Sequence, residues 1–310
     1  MHVQSKKIAI LMPCYNENHV IVKFLDELFA SIPTDSHQFE VFIVDDKSQD
    51  NTVELLVGYI KANPDKHIIL LELDYNVGHQ AAIYQGLLHI RNLPFDNVII
   101  LDSDGEDDPR AIDDLLNLTD YDIVHVARKK RKEGILFQLS YLLYKLIFLI
   151  ITGRLMNIGN YTMIKGSCLS VVTSKPFVHF AAHLSKLKCS RSEIAWNRRE
   201  RIDGKSKMNF KSLAYHGFYS LAEYAEDLLF TFLKLFVFLF LAFSLSICYV
   251  LYEKLFTTKA ILGWTSILSV SLFNGCLLCI GFFVIGLLLL NLSHQERSYF
   301  KRKIYKIVGE

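Results

Sequence analysis

Four short apolar runs of this 310-residue chain lead into acidic segments. Pro13-Cys14-Tyr15-Asn16-Glu17 follows Ile8–Met12, Asp45-Asp46 follows Phe39–Val44, Asp74-Tyr75-Asn76 follows Ile68–Leu73, and Asp102-Ser103-Asp104 follows Val98–Leu101. If the runs are strands pointing the same way, one edge of a sheet receives five aspartates and a glutamate. Such an edge repels phosphate unless a divalent cation lies between. Asp102 and Asp104, at i and i+2 just past a strand, can point the same way and hold Mg²⁺ or Mn²⁺. These hard ions take oxygen ligands and share them with substrate phosphates. Metal-bridged diphosphate is the chemistry this pattern suits.

The elements that must position these residues are legible in the same stretch. Ile123–Ala127 reads as a fifth strand, and Val20–Ser31, Thr52–Ala62, His79–Arg91 and Ala111–Leu118 space their apolar residues as helices do. Strand and helix in alternation imply an α/β fold, a mostly parallel sheet with helices on both faces. Ligands of such sheets bind beyond the carboxyl ends of the strands. The first strand is not followed by Gly-x-Gly-x-x-Gly, and the chain contains no Gly-x-x-x-x-Gly-Lys-Ser/Thr. A dinucleotide site and a P-loop, which cradle phosphate with backbone amides, are thereby excluded. Gly78 and His79 open a helix, and His79 reads as a surface residue of its first turn rather than a general base.

Composition adds a membrane. The chain is 51% hydrophobic yet 21% charged, and its mean hydropathy is +0.25. The apolar residues are concentrated, with no charge from Leu235 to Tyr252 or from Ala260 to Ser293. Leu228–Tyr252 and Ile261–Leu292 are each long enough to cross a hydrocarbon core of about 30 Å. The connector, roughly Glu253–Ala260, is too short for a domain, so the spans form a hairpin. Arg297, Lys301, Arg302 and Lys303 follow directly and place its ends in the cytoplasm, against the weaker bias of Lys254 and Lys259. The organisation expected is a catalytic domain over 1–227, two transmembrane helices over 228–292 and a basic cytoplasmic tail over 293–310. Two interfacial helices are expected over 134–153 and 210–225, the first anchored by Lys129–Lys132. Asn274, Gly275, Gly281 and Gly286 offer a surface for helix association and a homo-oligomer. Net charge is +2, of which the tail carries +3, leaving −1 for the rest; nucleic acid is excluded as a partner. The cysteines read as packing residues in a reducing compartment, and the N-terminus lacks the pattern of a signal peptide.

The strings IAILMPCYNE, VFIVDDKSQDNT, LDYNVGHQAAIYQGL and VIILDSDGEDDP, in that order, resemble the family-2 glycosyltransferases of GT-A fold. RRERIDGKSKMNFKSL and the hairpin resemble the membrane-anchored branch that glycosylates polyprenyl phosphates, which includes dolichyl-phosphate mannose synthases and bactoprenol glucosyltransferases. The resemblance covers about residues 6–225 and the hairpin. It implies that Pro13, Tyr15 and Glu17 line the base and ribose pocket and that Asp46 accepts hydrogen bonds from the base, with Asp45 a structural partner. It implies Asp102 at the ribose or metal and Asp104 at the metal and diphosphate. Glu106 stands where the family often has Gln and adds a carboxylate near the sugar or metal. Asp107 and Asp108 precede Pro109, and Asp108 is the expected cap of the next helix.

Ile158-Gly159-Asn160-Tyr161-Thr162 aligns with a segment where relatives often carry an acidic residue, and Asn160 cannot act as a base. General-base help is worth about 10²–10⁴-fold to a hydroxyl acceptor, whereas a phosphate is already an anion at neutral pH. Asn160 therefore favours a lipid phosphate. Arg128, Arg201 and Lys207 are the residues expected to hold the phosphates, with Gly204 and Ser206 in a loop that closes over them. The resemblance thus implies a metal-dependent, inverting transfer of sugar from a nucleoside diphosphate sugar, UDP by default, to a polyprenyl phosphate at a bacterial inner membrane. A hydroxyl acceptor on a glycolipid or lipid-linked saccharide is the alternative, and a non-catalytic scaffold the reading from another class.

Overall fold

A computed structural model of the chain describes residues 5–118, 120–128, 146, 149, 158–197, 199, 222–256, 264–297 and 303–308. The chain divides into two compact units. One comprises Met1–Leu142, Leu155–Glu223 and Arg297–Glu310; the other comprises Leu143–Arg154 and Tyr224–Glu296. Most of residues 134–153 and 210–225, expected as interfacial helices, lie outside the described residues.

The first unit begins with β1 (Lys7–Cys14), α1 (Ile21–Ser31), β2 (Gln38–Asp45), α2 (Thr52–Ala62), β3 (Ile68–Leu73), α3 (His79–Ile90), β4 (Asn97–Ile100), α4 (Ala111–Leu116) and β5 (Ile123–Arg128). These match the expected elements to within two residues at either end, because each strand is apolar on both faces and each helix presents an apolar stripe. Ile8, Ile10 and Met12 of β1 pack with α1, α2 and α4, while Ala9 and Leu11 pack with α3 on the other face. Beyond β5 come β6 (Ile158–Lys165), the short α5 (Leu169–Val172), α6 (Phe180–Lys186) and β7 (Arg191–Trp196). A last strand, β8 (Tyr305–Val308), lies within the basic tail.

The eight strands form one sheet in the order β7-β5-β6-β4-β1-β2-β3-β8. β2 and β4 both pair parallel with β1, and β3 pairs parallel with β2, whereas β6 runs antiparallel to β4 and β5, and β8 antiparallel to β3. The chain thus winds outward from β1 to β3 and returns to the other side of β1 with β4. That reversal opens a crevice at the carboxyl ends of β1 and β4, where a doubly wound sheet takes its ligand.

The second unit contains α7 (Ala225–Phe256) and α8 (Trp264–Arg297), both long and apolar enough to cross a membrane. They run antiparallel, with Phe232 against Phe282, Phe243 against Phe273 and Ser246 Oγ 3.3 Å from Ser269 Oγ. Gly286 permits the close approach of Leu229, whose Cδ2 fills the place a Cβ would take. Gly275 likewise faces Leu239 across the hairpin. Two of the small residues expected to serve association therefore serve the hairpin itself. Outward-facing Phe238 and Leu245, about 70% exposed in the chain alone (68% and 71%), suit contact with lipid tails.

Candidate active site

The carboxyl edge is built by two loops laced together. After β1, Asn16 takes a left-handed conformation, φ 55°. Its backbone N–H donates to Ser48 Oγ at 2.9 Å, and its Oδ1 accepts from Gln49 N–H at 2.8 Å. Glu17 N–H donates to Thr52 Oγ1 at 3.0 Å. Ser103 Oγ–H donates to the Pro13 carbonyl at 2.8 Å and ties β1 to the segment after β4. Tyr15 on this loop is 39% exposed and open to a ligand.

Asp45 and Asp46, at the end of β2, are both buried. Asp45 accepts from the N–H and Oγ–H of Ser48. Asp46 accepts from Val77 N–H at 2.7 Å and Gly78 N–H at 2.8 Å, while Asn76 Nδ2–H donates to its carbonyl at 3.0 Å. Burial raises the pKa of Asp46 against the lowering effect of those two N–H groups. In this arrangement the carboxylate expected to meet a nucleotide base holds the turn that starts α3.

That turn delivers His79 to the site. Its Nε2 lies 3.0 Å from Asp102 Oδ1, although its side chain is still 44% exposed. Burial would lower the imidazole pKa, but the charges of Asp102, Asp104 and Asp46 outweigh it and raise it. The sequence read His79 as a surface residue, since nothing in the string shows that α3 starts opposite the end of β4. Its neighbour Gln80 accepts at Oε1 from Phe180 N–H at 2.5 Å, and its Nε2 lies 3.5 Å from Asn160 Oδ1. Asn160, on β6, is thereby brought beside the start of α3.

The acidic loop after β4 is largely buried: Asp104, Glu106, Asp107 and Asp108 are each less than one-tenth exposed. Asp104 Oδ1 accepts from Glu106 N–H at 3.0 Å, and Asp107 Oδ2 accepts from Asp102 N–H at 3.0 Å. Asp108 accepts from Arg110 N–H at 3.1 Å and from its guanidinium, one turn ahead of α4. Burial would raise the Asp108 carboxyl, but Arg110, with Trp196 and Arg199, brings its pKa down to about 2. Arg199 is a residue the sequence did not single out between Arg198 and Arg201. Its N–H donates to the Glu106 carbonyl at 3.1 Å, its guanidinium bonds Glu27 on α1, and its Nε lies 4.0 Å from Asp108. Arg199 is thus fastened to the acidic loop and to α1.

The structure therefore brings Asp46, His79, Asp102, Asp104 and Asn160 into one neighbourhood, with Pro13 at the end of β1, Tyr15 and Glu17 on the adjoining loop and Glu106 on the acidic loop. Arg128 is the last residue of β5, while Arg201 and Lys207 lie outside the described residues. Asp102 and Asp104, both on the segment after β4, offer carboxylate oxygens, the donor type that fits a hard divalent ion rather than a soft one. At the opposite end of β5, Asp122, Cys168 and Cys189 come within 4.8 Å of one another. Asp122 there accepts from the N–H and Oγ–H of Ser190 and ties the start of β7 to β5.

A mostly parallel sheet with carboxylates buried along its β1/β4 crevice is the architecture of the GT-A fold. The family described as Glycosyl transferase family 2 matches residues 9–171, and the chain belongs to it. Its fold is shared with the mannosyltransferase PcManGT from Pyrobaculum calidifontis, solved with GDP-Man and Mn²⁺. That likeness has a TM-score of 0.51 at 18% identity and covers 72% of this chain and 64% of that one. Glucosyl-3-phosphoglycerate synthase from Mycobacterium tuberculosis, solved with Mn²⁺, UDP and phosphoglyceric acid, gives 0.51 at 14% identity, covering 72% and 78%. Among curated proteins, the undecaprenyl-phosphate 4-deoxy-4-formamido-L-arabinose transferase of Yersinia pestis (strain Pestoides F) is 29% identical over 216 residues. That match spans 67% of this chain and 64% of the relative's length.

Proposed function

We propose that the protein transfers a sugar, with inversion, from a nucleoside diphosphate sugar to a polyprenyl phosphate at the cytoplasmic face of a bacterial inner membrane. The observation that carries this reading is the convergence of Asp102 and Asp104 with His79 at the β1/β4 crevice, in a chain that also carries a two-helix apolar hairpin. The printed activity of the Yersinia relative supports the lipid acceptor. The bound nucleotides and Mn²⁺ of the two solved neighbours support the donor class and a divalent ion, Mg²⁺ or Mn²⁺.

Asp102 and Asp104 would hold that ion, which when bound would neutralise charge on the leaving diphosphate, with Glu106 on the same loop near the sugar or the metal. Tyr15, Glu17 and Pro13 border the nucleotide, with a UDP-sugar the donor to test first. His79, oriented by Asp102, stands beside the diphosphate position. Arg128, Arg201 and Lys207 supply positive charge to the phosphates, and the acceptor phosphate needs no general base to become a nucleophile. The chain leaves the first unit at Glu223 and re-enters it at Arg297. Two crossings between those points return it to the side it left, as a lipid-facing enzyme with one catalytic unit requires.

Membranes supplied with polyprenyl phosphate, Mg²⁺ or Mn²⁺ and a panel of nucleotide sugars test the proposal. The expected product is labile to mild acid, as a sugar phosphate ester is; an acid-stable glycoside would point instead to a hydroxyl acceptor. Asp104→Ala is expected to abolish transfer while membrane insertion persists, and full activity of that variant with Mg²⁺ present would sink the metal assignment.

A further inference from the structure

The basic tail does more than flank a membrane span. Tyr305–Val308 adds an eighth strand to the catalytic sheet, pairing Leu73 with Tyr305, Glu72 with Lys306, Leu71 with Ile307 and Leu70 with Val308. Asp74 N–H donates to the Ile304 carbonyl at 2.9 Å and extends the ladder. Tyr305 meets α3 as well: its hydroxyl lies 2.8 Å from His89 Nδ1, with the rings edge to face.

The central contact is at Glu72. Its side chain is 13% exposed and takes a lysine on each oxygen, Lys306 Nζ at 2.9 Å and Lys47 Nζ at 2.8 Å. Burial would raise the Glu72 pKa, but the two lysines lower it. Lys47 is not an ordinary surface residue. It follows Asp46 directly and sits at φ 61°, a left-handed conformation uncommon for a side chain with a Cβ. Asp45 also pairs with Glu72 in the β2–β3 register. An unbroken chain of contacts therefore runs from the tail strand through Glu72 and Lys47 to Asp46, and from Asp46 to the turn that carries His79.

We propose that β8 is a working part of the donor site, in which Lys306 and Glu72 are positioning residues that hold the Asp45–Ser48 turn and so set affinity for the donor nucleoside diphosphate. This rests on the donor-site reading above. A strand that only covers the β3 edge against aggregation would affect stability and leave nucleotide affinity alone.

The test uses the full-length protein in detergent, titrated with UDP and with GDP in the presence of Mn²⁺, alongside donor KM and kcat. One variant ends after Arg302, removing β8 while keeping Arg297, Lys301 and Arg302; a second, Glu72→Gln, keeps the side chain's shape and frees both lysines. Both are expected to bind nucleotide about tenfold more weakly and to raise donor KM by a similar factor, as coupled charge networks do. The expected kcat at saturating donor changes by less than about twofold, and Lys306→Arg behaves as wild type. Faster hydrogen exchange at the Val77 and Gly78 amides should accompany Glu72→Gln. Wild-type nucleotide affinity in Glu72→Gln overturns the proposal, as does a fall in melting temperature or kcat without a change in affinity. If the wild type binds neither nucleotide, the donor-site reading fails and takes this proposal with it. If it binds nucleotide but does not glycosylate the lipid, only the acceptor assignment falls, and the comparison of affinities still decides.

Discussion

Asp46→Asn separates two roles for one carboxylate, because the substitution preserves size and removes charge. In the folded protein Asp46 is 3% exposed and accepts two backbone N–H groups, from Val77 at 2.7 Å and Gly78 at 2.8 Å. An asparagine offers one oxygen to one of them and turns an NH₂ group toward the other, so a donor faces a donor. Losing one hydrogen bond to a charged acceptor costs about 1.5–3 kcal/mol, and a buried N–H left without an acceptor about 1–3 kcal/mol. A net loss of about 3 kcal/mol is the central expectation, which for a domain of roughly 200 residues lowers the melting temperature by roughly 6–12 °C. The turn that aims His79 at Asp102 relaxes at the same time, so donor affinity should fall along with stability. The assay is thermal unfolding of the detergent-purified protein, followed by tryptophan fluorescence, with donor KM and kcat measured well below the transition. A variant of unchanged melting temperature whose only defect is a raised donor KM would refute the reasoning. It would show that Asp46 meets the base, as the family resemblance implies, and that the turn holds without it.

Two other expectations concern the scaffold. His125, 3% exposed on β5, is held by burial, with Arg191 adding to the effect, at a pKa of about 4 against an ordinary 6.5. The unfolded chain therefore takes up this proton first: stability is full above about pH 6.5 and falls toward pH 4 by up to ~3 kcal/mol. Melting temperature should drop between pH 7.5 and 5 less steeply in His125→Asn than in wild type, and equal slopes would exclude His125 as the cause. Gly86→Ala sets helix propensity, which favours alanine by about 1 kcal/mol, against overpacking at about 1–3 kcal/mol. The new Cβ would run into Leu11 Cδ1 and lie 2.9 Å from Val44 Cγ2, both fully buried. Overpacking should win and lower the melting temperature by a few degrees, and by less when Gly86→Ala is made in a Leu11→Ala background, where the opposing side chain is gone; a gain in stability would contradict this packing.

The parts of the protein that depend on local pattern are legible in the residues alone. Predominantly apolar strands, helical spacing and uncharged runs fix β1 to β5, α1 to α4 and the hairpin because each is a property of neighbouring residues. That Asp102 and Asp104 fall just past the carboxyl end of β4 was legible in the same way, since they directly follow an apolar run. Tertiary structure decided what depends on residues far apart in the chain. β6 and β7 carry weaker patterns, with polar Asn160 and Thr162 in one and Arg191 and Glu193 in the other, and they become strands by pairing with β4 and β5. β8, read as tail, is strand because the β3 edge offers it unpaired backbone groups and Glu72 offers Lys306 a partner. His79 belongs to the site because Asp46 and Asp102, 33 and 23 residues away respectively by the numbering, converge on the first turn of α3. Hydrogen bonds and ion pairs of that span leave no periodicity in a string of residues; only the fold that closes them shows which charges meet.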